Sequence, residues 1–228
     1  AADCLSAAGC TVEFETRQTC CGQMFLNSGR TKAAASMARR FVRLFRDAEA
    51  IVAPSWSCVS MVRERYGDLL DGGDLADWEA MRTRTFELCD FLATECGVST
   101  WGGTLPGGAV LHRSCHMPQD AASREALERL LSGIDGLRLG ERPRDECCGF
   151  GGVFWTLWRD VSAAIGRRRV EVLTRERPDF LVLSEPGCLL QVRGAAAAAG
   201  FEGRVLHVAG VLSLALGIDR ADGHLRTP

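Results

Sequence analysis

Short apolar blocks alternate along the chain with longer stretches in which apolar residues recur every three or four positions. The blocks predict strands at residues 11–14, 50–53, 109–111, 137–139, 180–183 and 205–207, and the longer stretches predict helices at 31–46 and 153–175. Strands separated by helices imply a parallel sheet with right-handed crossovers. The acidic, glycine-containing segment 67–78 reads as a surface loop and 97–108 as a linker. The alanine-rich stretch 194–200 fits the end of a small-residue helix packed on the sheet.

The pattern also repeats. Residues 48–61 (AEAIVAPSWSCVSM) match 178–191 (PDFLVLSEPGCLLQ): an apolar run, a proline, then a cysteine opening a helix. Upstream of each lies the same triplet, Cys20-Cys21-Gly22 in one case and Cys147-Cys148-Gly149 in the other. The expected fold is therefore α/β, with two pseudo-repeated parallel-sheet halves, 1–104 and 105–228, each carrying a Cys-Cys-Gly motif at its strand ends. Loops after the carboxyl ends of parallel strands build binding sites, and Cys58, Cys115 and Cys188 each follow a predicted strand.

Composition narrows the chemistry. Eleven cysteines in 228 residues is an odd number in a chain too large to need disulfide staples, so reduced thiols or metal ligands are expected. With 27 basic and 29 acidic residues, no basic run points to nucleic acid. No apolar stretch reaches the roughly 18 residues of a membrane span, and the first residues lack signal-peptide character, which makes the cytoplasm the expected compartment. No GxGxxG follows a strand, and neither a Walker A motif nor a ferredoxin CxxCxxC run is present.

Adjacent cysteines do not easily bond to each other, but both thiolates can reach one metal centre. In the second half, Cys115, Cys147, Cys148 and Cys188 bring four thiols from three loops, the ligand count of an iron–sulfur cluster or a structural zinc. The plainer alternative is a glycine-rich turn with two buried cysteines. Gly149 and the glycines after it let the backbone approach a cluster and then start a helix, a role Gly22 would share. The first half offers Cys20, Cys21 and Cys58, and the counterpart of Cys115 would lie ahead of residue 1. Cys4, Cys10, Cys89 and Cys96 read as core thiols. His116, beside Cys115, suits a ligand or proton relay, and His112 suits a group that orients the loop through its ring N–H.

The triplets, together with Ser114-Cys115-His116 and Pro186-Gly187-Cys188-Leu189, resemble the cysteine-rich (CCG) domain family. That family includes the cysteine-rich subunit of heterodisulfide reductase, the iron–sulfur subunit of glycolate oxidase and a lactate-utilisation branch. QTCCGQMFLNSG, AIVAPSWSC, ECCGFGGVF and RVLHVAGVL are similar to the last branch across essentially the whole chain. The resemblance implies a cytoplasmic iron–sulfur subunit of a lactate-oxidising complex, bearing a 4Fe–4S cluster and working with other subunits, including a ferredoxin-type cluster protein. Two alternatives stand beside it: a glycolate-oxidase-type subunit, and a zinc-thiolate scaffold. The heterodisulfide reductase relative adds a Cys-x-x-Cys to hold noncubane clusters. This chain has Met61 and Gln191 where that second cysteine would stand, which argues against such a cluster here.

Overall fold

The computed structural model describes residues 1–118, 121–141 and 143–218. Helices α1 (Ala2–Ala7), α2 (Gln23–Asn27) and α3 (Thr31–Phe45) precede β1 (Ile51–Ala53), which leads into α4 (Trp56–Ser60). After α5 (Gly72–Met81), β2 (Thr85–Glu87) pairs in parallel with β1 and runs into α6 (Leu88–Thr94). Beyond residue 100 the chain forms β3 (Thr104–His112), α7 (Ala121–Ser132), β4 (Asp135–Leu139), α8 (Val153–Leu157) and α9 (Arg159–Leu173). It closes with β5 (Phe180–Leu183), α10 (Pro186–Ala198), β6 (Arg204–His207) and α11 (Val208–Ala215). The second sheet is parallel throughout, in the order β4-β3-β5-β6.

The fold is thus α/β with two parallel sheets, and the repeat is visible in detail. β5 is Phe-Leu-Val-Leu, buried at all four positions, as a central parallel strand covered on both faces must be. Both β1 and β5 pass through a short turn into a helix whose first turn carries the cysteine, Cys58 or Cys188. The next strand in each half ends on a residue whose side chain caps the following helix. Glu87 accepts from the Cys89 and Asp90 amides, and His207 Nδ1 accepts from the Ala209 amide, so each satisfies N–H groups a helix start leaves bare.

The halves share a core. Cys4, Leu5, Trp56, Leu88 and Leu92 from one side of residue 105 pack in the same cluster as Leu127, Leu131, Val182 and Leu212 from the other. A smaller core under β1 gathers Ala34, Ala38, Val42, Tyr66 and Trp78.

Several expectations need correction. Residues 11–14 are exposed coil, because an extended segment without a neighbouring ladder gains nothing over hydration. The predicted loop 67–78 contains a single turn at Tyr66–Asp68 and then α5, tied down by Trp78, whose indole N–H donates to the Val62 carbonyl at 2.6 Å. The helix predicted over 153–175 breaks at Trp158 into α8 and α9. The linker at 97–108 turns into β3 from Thr104 onward. β2 lies outside the expected elements, since three residues show no periodicity. Among the described residues no helix is long and apolar enough to cross a membrane.

Candidate metal centre

Three loops meet at the carboxyl end of the second sheet. Cys115 lies just past β3, Cys147 and Cys148 lie before α8, and Cys188 lies in the first turn of α10. Cys148 and Cys188 are buried with their sulfurs 3.0 Å apart, while Cys115 and Cys147 are exposed. Cys115 and Cys147 sit near enough to the buried pair that the four thiols shift one another's ionisation. Among them Cys147 is driven well down by the Cys115 thiol and then by that of Cys148, and Cys188 is lowered to about 6 by the Cys148 thiol. The partners Cys115 and Cys148 are correspondingly raised, by the neighbouring Cys147 thiol first of all. The direction of these shifts favours the thiolate at Cys147 and Cys188, and the thiolate is the form that binds metal.

The first half repeats this with three sulfurs. The Cys21 thiol lowers Cys58 to about 7 and is itself raised by it, and Cys20 lies exposed beside them. The triplet has the same local shape in both halves: the Gly22 amide donates to Cys20 Sγ at 3.4 Å and the Gly149 amide to Cys147 Sγ at 3.3 Å. Each loop is also tied from behind. Tyr66 Oη donates to the Cys21 carbonyl at 2.9 Å, and Ser162 Oγ donates to the Gly149 carbonyl at 2.7 Å.

Glycine is required at the third position of the triplet. Gly22 and Gly149 have φ of +91° and +87°, and a Cβ on Gly149 would stand 2.9 Å from both the Ser162 carbonyl oxygen and Ile165 Cβ. Gly149→Ala is expected to cost about 2–4 kcal/mol, combining a left-handed backbone with overpacking. Gly194→Ala on α10, where a Cβ meets nothing within 4 Å, is expected to be neutral or slightly stabilising. Urea midpoints of the two variants at equal m-value check this, and equal midpoints would show that the loop adapts.

The sites of the two halves are joined by their neighbours. Gln23, two residues after Cys21, places its amide nitrogen 3.3 Å from His116 Nε2, and the other ring nitrogen of His116 lies 3.7 Å from Cys115 Sγ. Glu185, just ahead of Cys188, accepts from Ser55 Oγ at 2.9 Å, from the Ser57 amide at 3.0 Å and from Ser57 Oγ at 2.9 Å, beside Cys58. Phe150 lies over Gly187, where a Cβ would meet its ring at 2.6 Å.

His112 ends β3 and groups with Cys148 and Cys188, one ligand atom of each lying within 4.8 Å of the others. Gln191 and Met61 turn away from a ligand's task. The Gln191 amide donates to the Ser162 carbonyl at 2.8 Å, and Met61 is buried in the smaller core. Cys4 and Cys89 are buried, and desolvation raises both thiols. Cys10 and Cys96 are half-buried with sulfurs 3.6 Å apart. Sequence reasoning missed Arg169, Glu185, Ser55, Ser57 and Gln23. Only a buried charge on α9 or at the start of α10 could have signalled the first two, and burial is invisible in a run such as Gly166-Arg167-Arg168-Arg169.

A family model described as a cysteine-rich domain matches residues 1–63 and 109–193. Each matched segment contains one Cys-Cys-Gly triplet and the cysteine after its Pro-led turn. The chain is 36% identical over 212 residues to lactate utilization protein A of Geobacillus thermodenitrificans, covering 92% of this chain and 88% of that protein. It is 36% identical over 214 residues to the protein of the same name from Geobacillus kaustophilus, again covering 92% and 88%. A third relative of that name, from Oceanobacillus iheyensis, is 31% identical over 214 residues, covering 92% of this chain and 86% of its own length.

Proposed function

The chain belongs to the cysteine-rich domain family, and on that footing we propose that it serves lactate utilisation as an iron–sulfur electron-transfer subunit. Cys115, Cys147, Cys148 and Cys188 would hold one 4Fe–4S cluster, and Cys20, Cys21 and Cys58 a related site, with the repeats divided near residue 105. The observation that carries the reading is the convergence of four cysteines from three loops at one end of the sheet, two of their sulfurs 3.0 Å apart and no carboxylate in the set. Sulfur donors of this kind suit iron–sulfur clusters or zinc and disfavour hard cations.

When bound, a cluster supplies one-electron transfer. The residues present do the rest: the triplet glycine amides donate to Cys20 and Cys147, the Ser162 and Tyr66 hydroxyls fix the loops, and Phe150 packs on Gly187 in the cluster that holds Cys188. Oxidation of lactate to pyruvate releases two electrons and two protons, and this chain offers no hydride-accepting cofactor motif. Partner subunits of a lactate-oxidising complex, including a ferredoxin-type cluster protein, would carry out that step and exchange electrons with this chain in the cytoplasm.

Anaerobic reconstitution with iron and sulfide tests the reading. The expected product is a brown protein containing iron and acid-labile sulfide, with an EPR signal after reduction and less metal on the three-sulfur site than on the four-sulfur site. A colourless protein holding stoichiometric zinc, with no affinity for iron, would replace it with a zinc-thiolate scaffold.

A further inference from the structure

Resting on the proposed metal–thiolate centre, we infer that His112 is placed to donate a hydrogen bond to the Cys148–Cys188 sulfur pair once that pair holds its group, and is not a ligand, held in that role by Arg169. His112 is 1% exposed, and its Nδ1 accepts from Arg169 Nε at 3.0 Å. A guanidinium has only donors, so Nδ1 must present its lone pair, and the one hydrogen of the neutral ring sits on Nε2. Nε2 is buried and has no hydrogen-bond partner among the described residues. One ring nitrogen lies within 4.8 Å of the Cys148 and Cys188 sulfurs, and with Nδ1 taken by Arg169 it is the Nε2–H that remains for that pair.

This fixes the chemistry. With its hydrogen on Nε2, the ring has no lone pair there for a metal, and ligation would require removal of a second proton. An N–H aimed at cluster sulfur favours the more negative, reduced state and raises its potential. Arg169 is equally buried, at 1% exposure, and its described hydrogen bonds go to His112 and, at 2.9 Å, to the Arg144 carbonyl. A guanidinium in that position needs countercharge. Glu146 and Asp145 supply part of it, and the Cys148 and Cys188 sulfurs supply more from beyond the imidazole. Arg169 is a positioning residue: it touches no cysteine in its described hydrogen bonds and acts through the tautomer it imposes.

Two measurements test the inference. In reconstituted protein, His112→Leu and Arg169→Met should each lower the midpoint potential by at least a tenfold change in the reduction equilibrium, about 59 mV for one electron. His112→Gln, which can keep an N–H near the same place, should recover most of that loss, and an unmoved potential in His112→Leu would overturn the inference. In unsubstituted protein loaded with 113Cd, long-range 1H–15N spectra should show His112 with hydrogen on Nε2 and no cadmium coupling. A 113Cd–15N coupling at His112, or hydrogen on Nδ1, would overturn it even if the variants fail to fold. The cadmium measurement reads the ring whether the natural group is iron–sulfur or zinc, so failure of the iron reading appears separately, as absent iron.

Discussion

Cys148→Ser is expected to strip or rearrange the group held by the second cysteine set, while Cys89→Ala leaves it in place. Both residues are buried thiols, so burial alone does not separate them. What separates them is company. Cys148 lies between Cys147 and Cys188, with its sulfur 3.0 Å from that of Cys188, whereas Cys89 packs inside the apolar core among Cys4, Leu88 and Leu92. Desolvation raises the Cys89 thiol well above its ordinary value. Loss of an outer hydrogen-bond partner costs metal affinity about 10–100-fold, so loss of a ligand should cost more. Cys89→Ala should instead cost about 1 kcal/mol of stability, as a small core truncation does. Iron content and EPR of the two reconstituted variants decide the matter. Retention of the parent's iron and spectrum by Cys148→Ser, with their loss in Cys89→Ala, would show the ligand assignment to be wrong.

The parts of the fold that could be read from sequence are those fixed by burial on a regular period. Phe180-Leu181-Val182-Leu183 is buried at every position, and a continuous apolar run of that length has few other places to go than a central strand. The repeated apolar-Pro-Cys pattern likewise marks two strand-to-helix turns, because the turn and the helix start both have local chemistry. Residues 11–14 fail for the opposite reason: Thr-Val-Glu-Phe alternates like a strand, but pairing depends on a neighbour that no local pattern supplies. The break at Trp158 and the helix begun by Gly72-Gly73 depend on tertiary packing around Trp78 and the Cys-Cys-Gly loop, which outweighs propensity. At the site, the cysteines are legible because their type and repetition are unusual. The Arg169–His112 contact is not, since it joins α9 to the end of β3 across 57 residues.

Purified alone and fully loaded with metal, the protein is expected to show no lactate-dependent dye reduction, and to show it once its cognate cluster-bearing partners are added. The sites place the docking face. Beside the second triplet the chain exposes Trp155 at 52%, Leu157 at 69%, Trp158 at 61% and Val161 at 51%, large apolar groups that a surface without a partner would not be expected to gather in seven residues. Met24, next to the first triplet, is 48% exposed and stands 3.4 Å from where a Cβ on Gly152 would be, which carries the same apolar rim to the other half. Phe150 and Phe25, the aromatic residues nearest the triplets in sequence, are half-buried, with Phe150 stacked on Trp155 and Phe25 packed against the smaller core. Trp158 is therefore the better probe, because it can be changed without opening a core. Interfaces of this kind concentrate their affinity in exposed aromatics, and Trp158→Glu should weaken assembly by about 2 kcal/mol or more, roughly thirtyfold, while leaving metal content unchanged. A charge of the same sign at Arg138, on β4 away from the triplets, should leave assembly intact. Lactate oxidation by the isolated chain would refute the relay reading, and unaltered assembly by Trp158→Glu would remove this face as the place where partners dock.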